Sequence, residues 1–436
     1  MDGKFAAPRH RHVAALGAVV VLASIRVAAQ APAPPAAQAA PLRVTLDQAI
    51  DLARQHNHSL LAARTTILQG HDQETTANLR PNPVLLGDAQ FLPFFQPGNW
   101  SSDYLANVAQ FDVGVSYLFE RGGKRSSRLQ AARDQTAVAT AQVSDNERAL
   151  TFNVASQFTA ALLAQSNLDF AEQGLASFQQ TVDLSQASFN AGALSQGDLL
   201  KIQLQLLQFQ MDVSAARLAR VQALATLRQL LGYESVPENF EVDGTLIYEP
   251  VTLGLEGLKT LALQTRPDLR AAQLGVLAAQ SQLSLAKANG KRDVTAQFSY
   301  THVSSANTGS LFANIELPIF DKNQGEIART AHALTQSQEL SSEQSSVVLT
   351  DVVNAYETLH TSDQVVQLYQ SGYLKQAEDS RDISQYAYQR GAASLLDFLD
   401  AQRSYRATQL AYRQALANYM VALEQVRQAV GKRSLP

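Results

Sequence analysis

Asn190 to Gln203 reads NAGALSQGDLLKIQ, and Gln389 to Gln402 reads QRGAASLLDFLDAQ. In each, an aspartate follows a glycine six residues on: Asp198 after Gly192, Asp397 after Gly391, with Asp400 added in the second stretch. A duplicated carboxylate could serve as a catalytic acid–base pair. It could also do plainer work, since glycine supplies the left-handed residue that ends one helix and an aspartate accepts hydrogen bonds from the free amides that open the next. On the plain reading Asp198 and Asp397 are N-caps, and Asp400, three residues further, complements the helix dipole.

Other residues that could carry chemistry are scattered. His56 and His58 stand two apart on an expected helix and so face different ways, whereas metal-binding pairs stand four apart. His71, His332 and His360 are isolated on expected helices, and His302 ends an expected strand. No metal site and no cofactor is assigned. ERGGKR and DKNQG have the look of phosphate loops, but no Lys-Ser or Lys-Thr follows at the required spacing. They read as turns from strand into helix with solvated charges.

The elements that hold these residues come in two copies. Gly192 and Gly391 lie 199 residues apart, as do Gly232 and Gly431, and LDQAIDLARQHNHSLLAA from Leu46 aligns with LEGLKTLALQTRPDLRAA from Leu255. The first repeat is 42–235, the linker 236–250 and the second repeat 251–436. No proline occurs between Pro97 and Pro237, or between Pro318 and Pro436. Helix interiors exclude proline, so these windows read as long helices with narrow, coiled-coil-like apolar seams. Expected helices run 46–79, 124–189 and 198–231 in the first repeat, and 255–289, 326–388 and 397–430 in the second. A helix of roughly 65 residues spans roughly 100 Å, the length of two helices of roughly 34 residues end to end. The fold class is mainly α with a small β part.

Strands are expected at about 84–119 and about 293–320. In QFDVGVSYLF the apolar residues Phe111, Val113, Val115, Tyr117 and Phe119 alternate with polar or small ones, and VTAQFSYTH and LFANIELPI do the same. Taken alone, such strands suit a half-buried soluble sheet or a barrel with lipid outside and water inside. Four strands cannot close a barrel, so the second reading requires an oligomer.

Lys4, Arg9 and Arg11 precede the apolar run VAALGAVVVLASI and then VAAQAPAPPAAQAAP, which gives an expected secretory signal over 1–29 and a Pro/Ala-rich segment over 30–41. Residues 1–29 hold four of the 35 Lys/Arg and one of the 39 Asp/Glu, so the remainder carries 31 against 38, a net charge of −7. Nucleic acid is a poor partner for such a chain. Cysteine is absent, which excludes disulfides, thiolate metal sites and a lipid-bearing N-terminal cysteine.

Taken together, the doubled unit, FNAGALSQGDLL, YQRGAASLLDFLDAQ, RPDLRAA, RPNPVL and the junctions LFERGGKRSSRLQAA and LPIFDKNQGEIARTA resemble the TolC family of outer-membrane channel proteins. RPNPVL and the two junctions look most like its Czc/Cus-type branch, which serves cation-exporting pumps. The resemblance implies a homotrimer in the outer membrane whose twelve pooled strands form a β-barrel in lipid and whose helices form an α-barrel across the periplasm. It implies a passive duct and no enzyme, docked through a periplasmic adaptor on an inner-membrane pump of the RND type. A drug-efflux or type I secretion duct is the alternative within the family. A periplasmic coiled-coil scaffold is the alternative outside it.

The resemblance also implies roles at the tips. Asp397 and Asp400 would ring the periplasmic aperture, six carboxylates in a trimer, attracting cations and raising one another's pKa values by repulsion. Gly192 and Gly391 would form the tip turns, and Tyr388 and Asp198 would support the closed gate through a hydrogen bond between them. Ala393 stands where family members carry a gating arginine, which leaves Arg390 and Arg403 as candidates for closure. The loop FLPFFQPGNW, Phe91 to Trp100, would either join the aromatic belt at the lipid boundary or plug the outer mouth.

Overall fold

A computed structural model describes residues 42–435, and the expected signal and Pro/Ala-rich segment lie outside the described residues. The longest element, α4 (Lys124–Asn190), is one unbroken helix of 67 residues, or roughly 100 Å. Before it come α1 (Leu46–His56), α2 (His58–Asn78) and a short α3 (Ser102–Asn107); after it comes α5 (Gln196–Leu231). The same sizes recur in α6 (Leu255–Thr265), α7 (Pro267–Asn289), α8 (Gln324–Leu368), α9 (Leu374–Gln389) and α10 (Leu395–Val430).

Three helices expected to be continuous are broken. Asn57 adopts extended backbone between α1 and α2, and its side chain caps the amide of Leu60 at 3.0 Å. Arg266 is extended between α6 and α7 because Pro267 disfavours helical backbone in the residue before it. Between α8 and α9, Tyr369–Tyr373 forms a single π turn in which Gly372 has φ 138°. That backbone is accessible to glycine and costly for any other residue.

On the side of the strands the helices lie in the order α2, α4, α7, α8, and on the side of the tip turns in the order α5, α4, α10, α9. Where the two levels meet, each half has its own core. One gathers Ile50, Val154, Phe158, Leu227, Leu231 and Phe240; the other gathers Leu258, Val352, Leu359, Tyr419, Val426 and Val430. A two-stranded parallel pair, β1 (Arg43–Val44) with β4 (Glu241–Val242), ties the start of the first half to the linker.

The remaining strands, β2 (Val84–Gln90), β3 (Gln110–Phe119), β5 (Val294–Val303) and β6 (Ala306–Ile315), form one antiparallel sheet in that order. Ser304 and Ser305, both with positive φ, make the two-residue β5–β6 turn. Register places Leu85, Val115, Phe298 and Leu311 in one row across all four strands. These side chains are 75%, 49%, 57% and 80% exposed. In the next row, of opposite facing, Gly114 and Ser299 are buried. A soluble sheet covers its apolar face; this one bares it. At the helical ends of the strands, Lys124 reaches the Asp293 carboxylate at 2.7 Å and Arg128 reaches Glu120 at 2.7 Å, while Arg128 also donates to Ala77 O and Leu79 O. Glu120 and Lys124 of ERGGKR are thus stapled across the strand-to-helix turn instead of being left in solvent.

At the meeting of the two levels, the broken helix of each half seals the end of the helix returning from the tip. The Asn57 amide donates to Leu230 O at 3.0 Å, and the Arg266 guanidinium donates to Ala429 O at 3.2 Å. Gly232 and Gly431 end α5 and α10 with φ of 91° and 81°. A Cβ at Gly232 would stand 2.6 Å from His56 O, whereas at Gly431 the nearest atoms are the Arg266 Cα and Thr265 O at 3.3 Å. Gly232→Ala therefore combines backbone strain with overlap and should destabilise by about 3 kcal/mol, and Gly431→Ala by about 1 kcal/mol, as read from thermal melts. Equal melts for the two variants would contradict this account of the junction.

Candidate functional site

Both tips are built in the same way. At the end of α4, Gly192 with φ 77° lets the amide of Ala193 reach back to Ser188 O at 2.9 Å. At the end of α9, Gly391 with φ 73° lets Ala392 reach Ala387 O at 2.8 Å. These bonds satisfy carbonyls that a helix end leaves free. The N-caps of the next helices are Ser195 and Ser394, and the aspartates expected in that role stand three residues later. The Ser394 hydroxyl accepts from the Asp397 amide at 3.2 Å and donates to its carboxylate at 2.7 Å, while that carboxylate accepts from the Ser394 amide at 3.2 Å. Ser195 and Asp198 make the two hydroxyl contacts at 3.1 and 2.8 Å.

These bonds favour the ionised form of both carboxylates. The Ser195 hydroxyl first, and then Lys201, hold the Asp198 carboxyl below the usual aspartate range. The Ser394 hydroxyl and then its backbone amide do the same for Asp397. Asp400 is exposed, with Arg403 at 3.7 Å. Lys201, which bonds Asp198 at 3.1 Å, occupies in the first tip the place that Asp400 has in the second.

Tyr388 stacks on Phe398 with ring centres 5.3 Å apart and planes 6° from parallel. Burial pushes its hydroxyl pKa up, opposed by Ser185 and reinforced by the nearby Asp198 charge. The structure therefore brings Tyr388 near Asp198, but among the described residues the Asp198 carboxylate is engaged by Ser195 and Lys201. Around this pair Phe178, Val182, Ile202, Phe209, Leu395 and Phe398 form a third core that joins the two hairpins. The two candidates for closure stay within their own hairpin: Arg390 lies 5.1 Å from the centre of the Tyr386 ring, and Arg403 beside Asp400. A cation that does cross between the hairpins is Arg406, paired with Asp212 and lying over the Phe209 ring. Sequence reasoning did not single out this pair, although Phe209 lies seven residues after Ile202 on the same apolar seam.

The histidines have separate surroundings: His58 lies by Glu234 at 3.4 Å, His71 by Glu74 at 3.3 Å, and the His302 Nδ1 by Asn307 Oδ1 at 2.9 Å. Phe91, Phe94, Phe95 and Trp100 of the β2–β3 connection are exposed, with Phe94 edge-on to Trp100 at 5.8 Å.

A profile of the family described as "Outer membrane efflux protein" matches residues 49–233 and 258–432. The chain is 23% identical to the cobalt-zinc-cadmium resistance protein CzcC of Cupriavidus metallidurans, over 89% of this chain and 90% of that one. It is 24% identical to the cation efflux system protein CusC of Escherichia coli K12, over 81% and 79% of the two chains. A crystal structure of CusC superposes with a TM-score of 0.73 at 21% identity, covering 89% of this chain and 92% of that one.

The cap geometry has a pH consequence. Because the folded pKa of Asp397 is depressed, its contribution to holding the tip is fully present above the unfolded value of about 3.9 and is lost as pH falls through the lower folded value. Protection of the Ser394 and Asp397 amides, measured against their intrinsic exchange rates, should thus hold down to about pH 4 and fall below it. Ser394→Ala removes the cap, costs about 1 kcal/mol locally, and should lower the protection of the Asp397 amide at neutral pH. Slow exchange in that variant would show that the box does not hold the tip.

Proposed function

The chain belongs to the outer membrane efflux protein family, and on that premise we propose that it is the passive exit duct of a tripartite pump for heavy-metal cations. It is an outer-membrane protein that extends into the periplasm. The observation that carries the reading is the bared apolar row Leu85, Val115, Phe298 and Leu311, set on a sheet whose outer strands β2 and β6 each have one free edge among the described residues. A free edge invites another strand, and lipid is the solvent that accepts an apolar outer face. A soluble periplasmic scaffold needs neither.

Three copies joined edge to edge give twelve strands and leave no edge open. The helices support the same closure. On α5, at one flank, Leu200, Leu204, Leu207, Met211, Leu218 and Val221 are exposed at spacings of three, four and seven, a coiled-coil seam without a partner. On the opposite flank α8 and α9 expose Leu340, Val347, Leu368, Ile383 and Tyr386. Head-to-tail contact between unlike flanks closes a ring. The correspondence of Asn57 with Arg266, and of Gly232 with Gly431, supports descent of the two halves from one duplicated unit.

In this reading Asp397 and Asp400 line the narrow tip, and Gly192, Asp198, Tyr388 and Gly391 hold its shape. The duct catalyses nothing and binds no cofactor. Its partners are a periplasmic adaptor at the tip and an inner-membrane pump that selects the cargo. The cation assignment rests on the similarity to CzcC and CusC together with the carboxylates of the second tip.

Deletion of the gene should sensitise cells to divalent or monovalent heavy-metal salts more than to drugs; equal resistance to every metal in the panel overturns the cargo. Asp397→Asn with Asp400→Asn should keep the trimer and reduce cation preference in planar-bilayer conductance, whereas unchanged selectivity would leave these residues only a structural role. Leu204→Lys with Met211→Lys should yield folded chains that do not trimerise by light scattering. A trimer unaffected by both charges would move the contact elsewhere.

A further inference from the structure

Each of the four junctions between a strand of the larger sheet and a long helix carries an exposed cation: Arg80 in α2–β2, Arg121 in β3–α4, Lys291 in α7–β5 and Lys322 in β6–α8. The carboxylates of this level are engaged elsewhere. Glu120 pairs with Arg128, Asp293 with Lys124, Glu316 with Arg292 and Glu326 with Arg329, while Asp321 accepts from the Asn323 amide at 2.7 Å. Among the described residues, the side chains of Arg80, Arg121, Lys291 and Lys322 therefore have no ion-pair partner. Residues 78–82, 117–130, 287–294 and 316–324 hold nine Lys/Arg against four Asp/Glu, in a chain whose net charge is −4. Three of the free cations are drawn together. A Cβ at Gly122, next to Arg121, would stand 2.5 Å from the Lys291 Cγ, and one at Gly290, next to Lys291, would stand 2.9 Å from Lys322 O. Apolar side chains share the level, since Leu79, Phe119, Leu317, Ile319 and Phe320 are exposed. The far ends of the strands are different: no Lys or Arg occurs between Arg80 and Arg121, or between Arg292 and Lys322.

We propose that this collar docks the anionic headgroups of phospholipids in the periplasmic leaflet of the outer membrane. The inference rests on the membrane-barrel reading above. Strands β3, β5 and β6 have ten residues each. Such strands rise roughly 33 Å and, tilted as in a membrane barrel, stand about 25 Å tall, the height of the apolar band. Their helical ends thus meet the headgroup layer on the periplasmic side. There the phosphodiester oxygens pair with Arg121, Lys291 and Lys322, and with Arg80, while the acyl chains lie against Leu317, Ile319 and Phe320. The lysine stems cover apolar surface and carry their charges out to the headgroups. A zwitterionic headgroup brings its own ammonium and gains less. Turned to the lumen instead, a ring of unpaired cations would oppose the cations proposed as cargo. The opposite mouth, without a basic residue on its strands or connections, offers no such contact, so the charge of the two ends distinguishes the two leaflets.

The test places the full protein in phosphatidylcholine bilayers and measures, by electron spin resonance, the entry of spin-labelled phosphatidylglycerol and phosphatidylcholine into the motionally restricted shell around it. Phosphatidylglycerol should be preferred by about twofold or more over the whole shell at low ionic strength, and less so in about 0.5 M salt. Arg80→Gln with Arg121→Gln, Lys291→Gln and Lys322→Gln should abolish the preference. Arg217→Gln with Lys375→Gln, Lys432→Gln and Arg433→Gln removes as many exposed cations from other levels and should retain it. Both variants are compared at the same oligomeric state by light scattering. A restricted shell without preference for phosphatidylglycerol overturns the proposal, as does a preference undiminished in the collar variant. Retention on purified peptidoglycan that depends on the same four cations, with no lipid preference, assigns the collar to that polymer and overturns it too. Absence of any restricted shell would instead overturn the membrane-barrel reading itself.

Discussion

A single helix of roughly 100 Å has to be matched along its whole length by two helices laid end to end. At the joint those two helices present four free amides and four free carbonyls to each other in the middle of a packed wall, where water is not available to satisfy them. The protein resolves this by breaking the strand-side helix at the joint, after a first segment of 11 residues in each half, and using the break as a plug. Asn57 caps its own helix through Leu60 and, with the same side chain, seals the carbonyl of Leu230. Arg266 does the second task in the other half, and its buried charge is in turn held by Asp268 and Asp351. Two different residues thus meet one requirement. Of the glycines facing them, Gly232 is fixed by contact, since it has no room for a side chain against His56.

With the joint sealed, the rest of the layout follows from which surfaces still lack a partner. The interior faces of both levels are buried in the two central cores and the tip core. Among the uncovered apolar surfaces two extend along the elements: the α5 and α8–α9 flanks with the sheet edges β2 and β6, and the outer apolar row of the sheet. Flanks and edges are complementary in kind, helix to helix and strand to strand, so neighbouring copies can satisfy both at once. The apolar row is complementary to no polar solvent. The two tip hairpins are held by less: a small aromatic core, one half-buried ion pair and serine caps.

Much of this was legible in the sequence because it is written in residues with few alternatives. Proline-free windows delimit the long helices, and glycines at a constant offset mark the left-handed ends of the helices at the tips and at the joint, as Gly192, Gly391 and Gly431 show. The alternation in QFDVGVSYLF is legible as a strand, but its outward or inward sense is not, because period alone is the same for a face turned to lipid and one turned to a core. Ser195 and Ser394 compete with the aspartates for the cap position, because both residue types suit the first turn and only the helix start decides between them. The break at Asn57 carries no proline, unlike its counterpart before Pro267, and so left no mark. Arg406 and Asp212 are separated by 194 residues, and no periodicity within either helix reports a pair that forms between hairpins.

The halves share a plan but differ in mechanics, and the differences fall on one side. Gly174 in α4 sits within unbroken helix, packed 3.3 Å from Phe209 by the position its Cβ would take, whereas its counterpart Gly372 is in a π turn with φ 138°. Toward the tip, α4 buries Phe178, Thr181, Val182 and Ser185, while α9 has no fully buried residue. Few buried contacts and an interrupted hydrogen-bond ladder both lower the free energy of local opening. The second hairpin is therefore the less stable of the two, and it is also the one that carries Asp400 where the first carries Lys201. The first hairpin, continuous and better packed, supplies the fixed wall, Phe178, Phe209 and Asp212, against which Phe398 and Arg406 of the second are held.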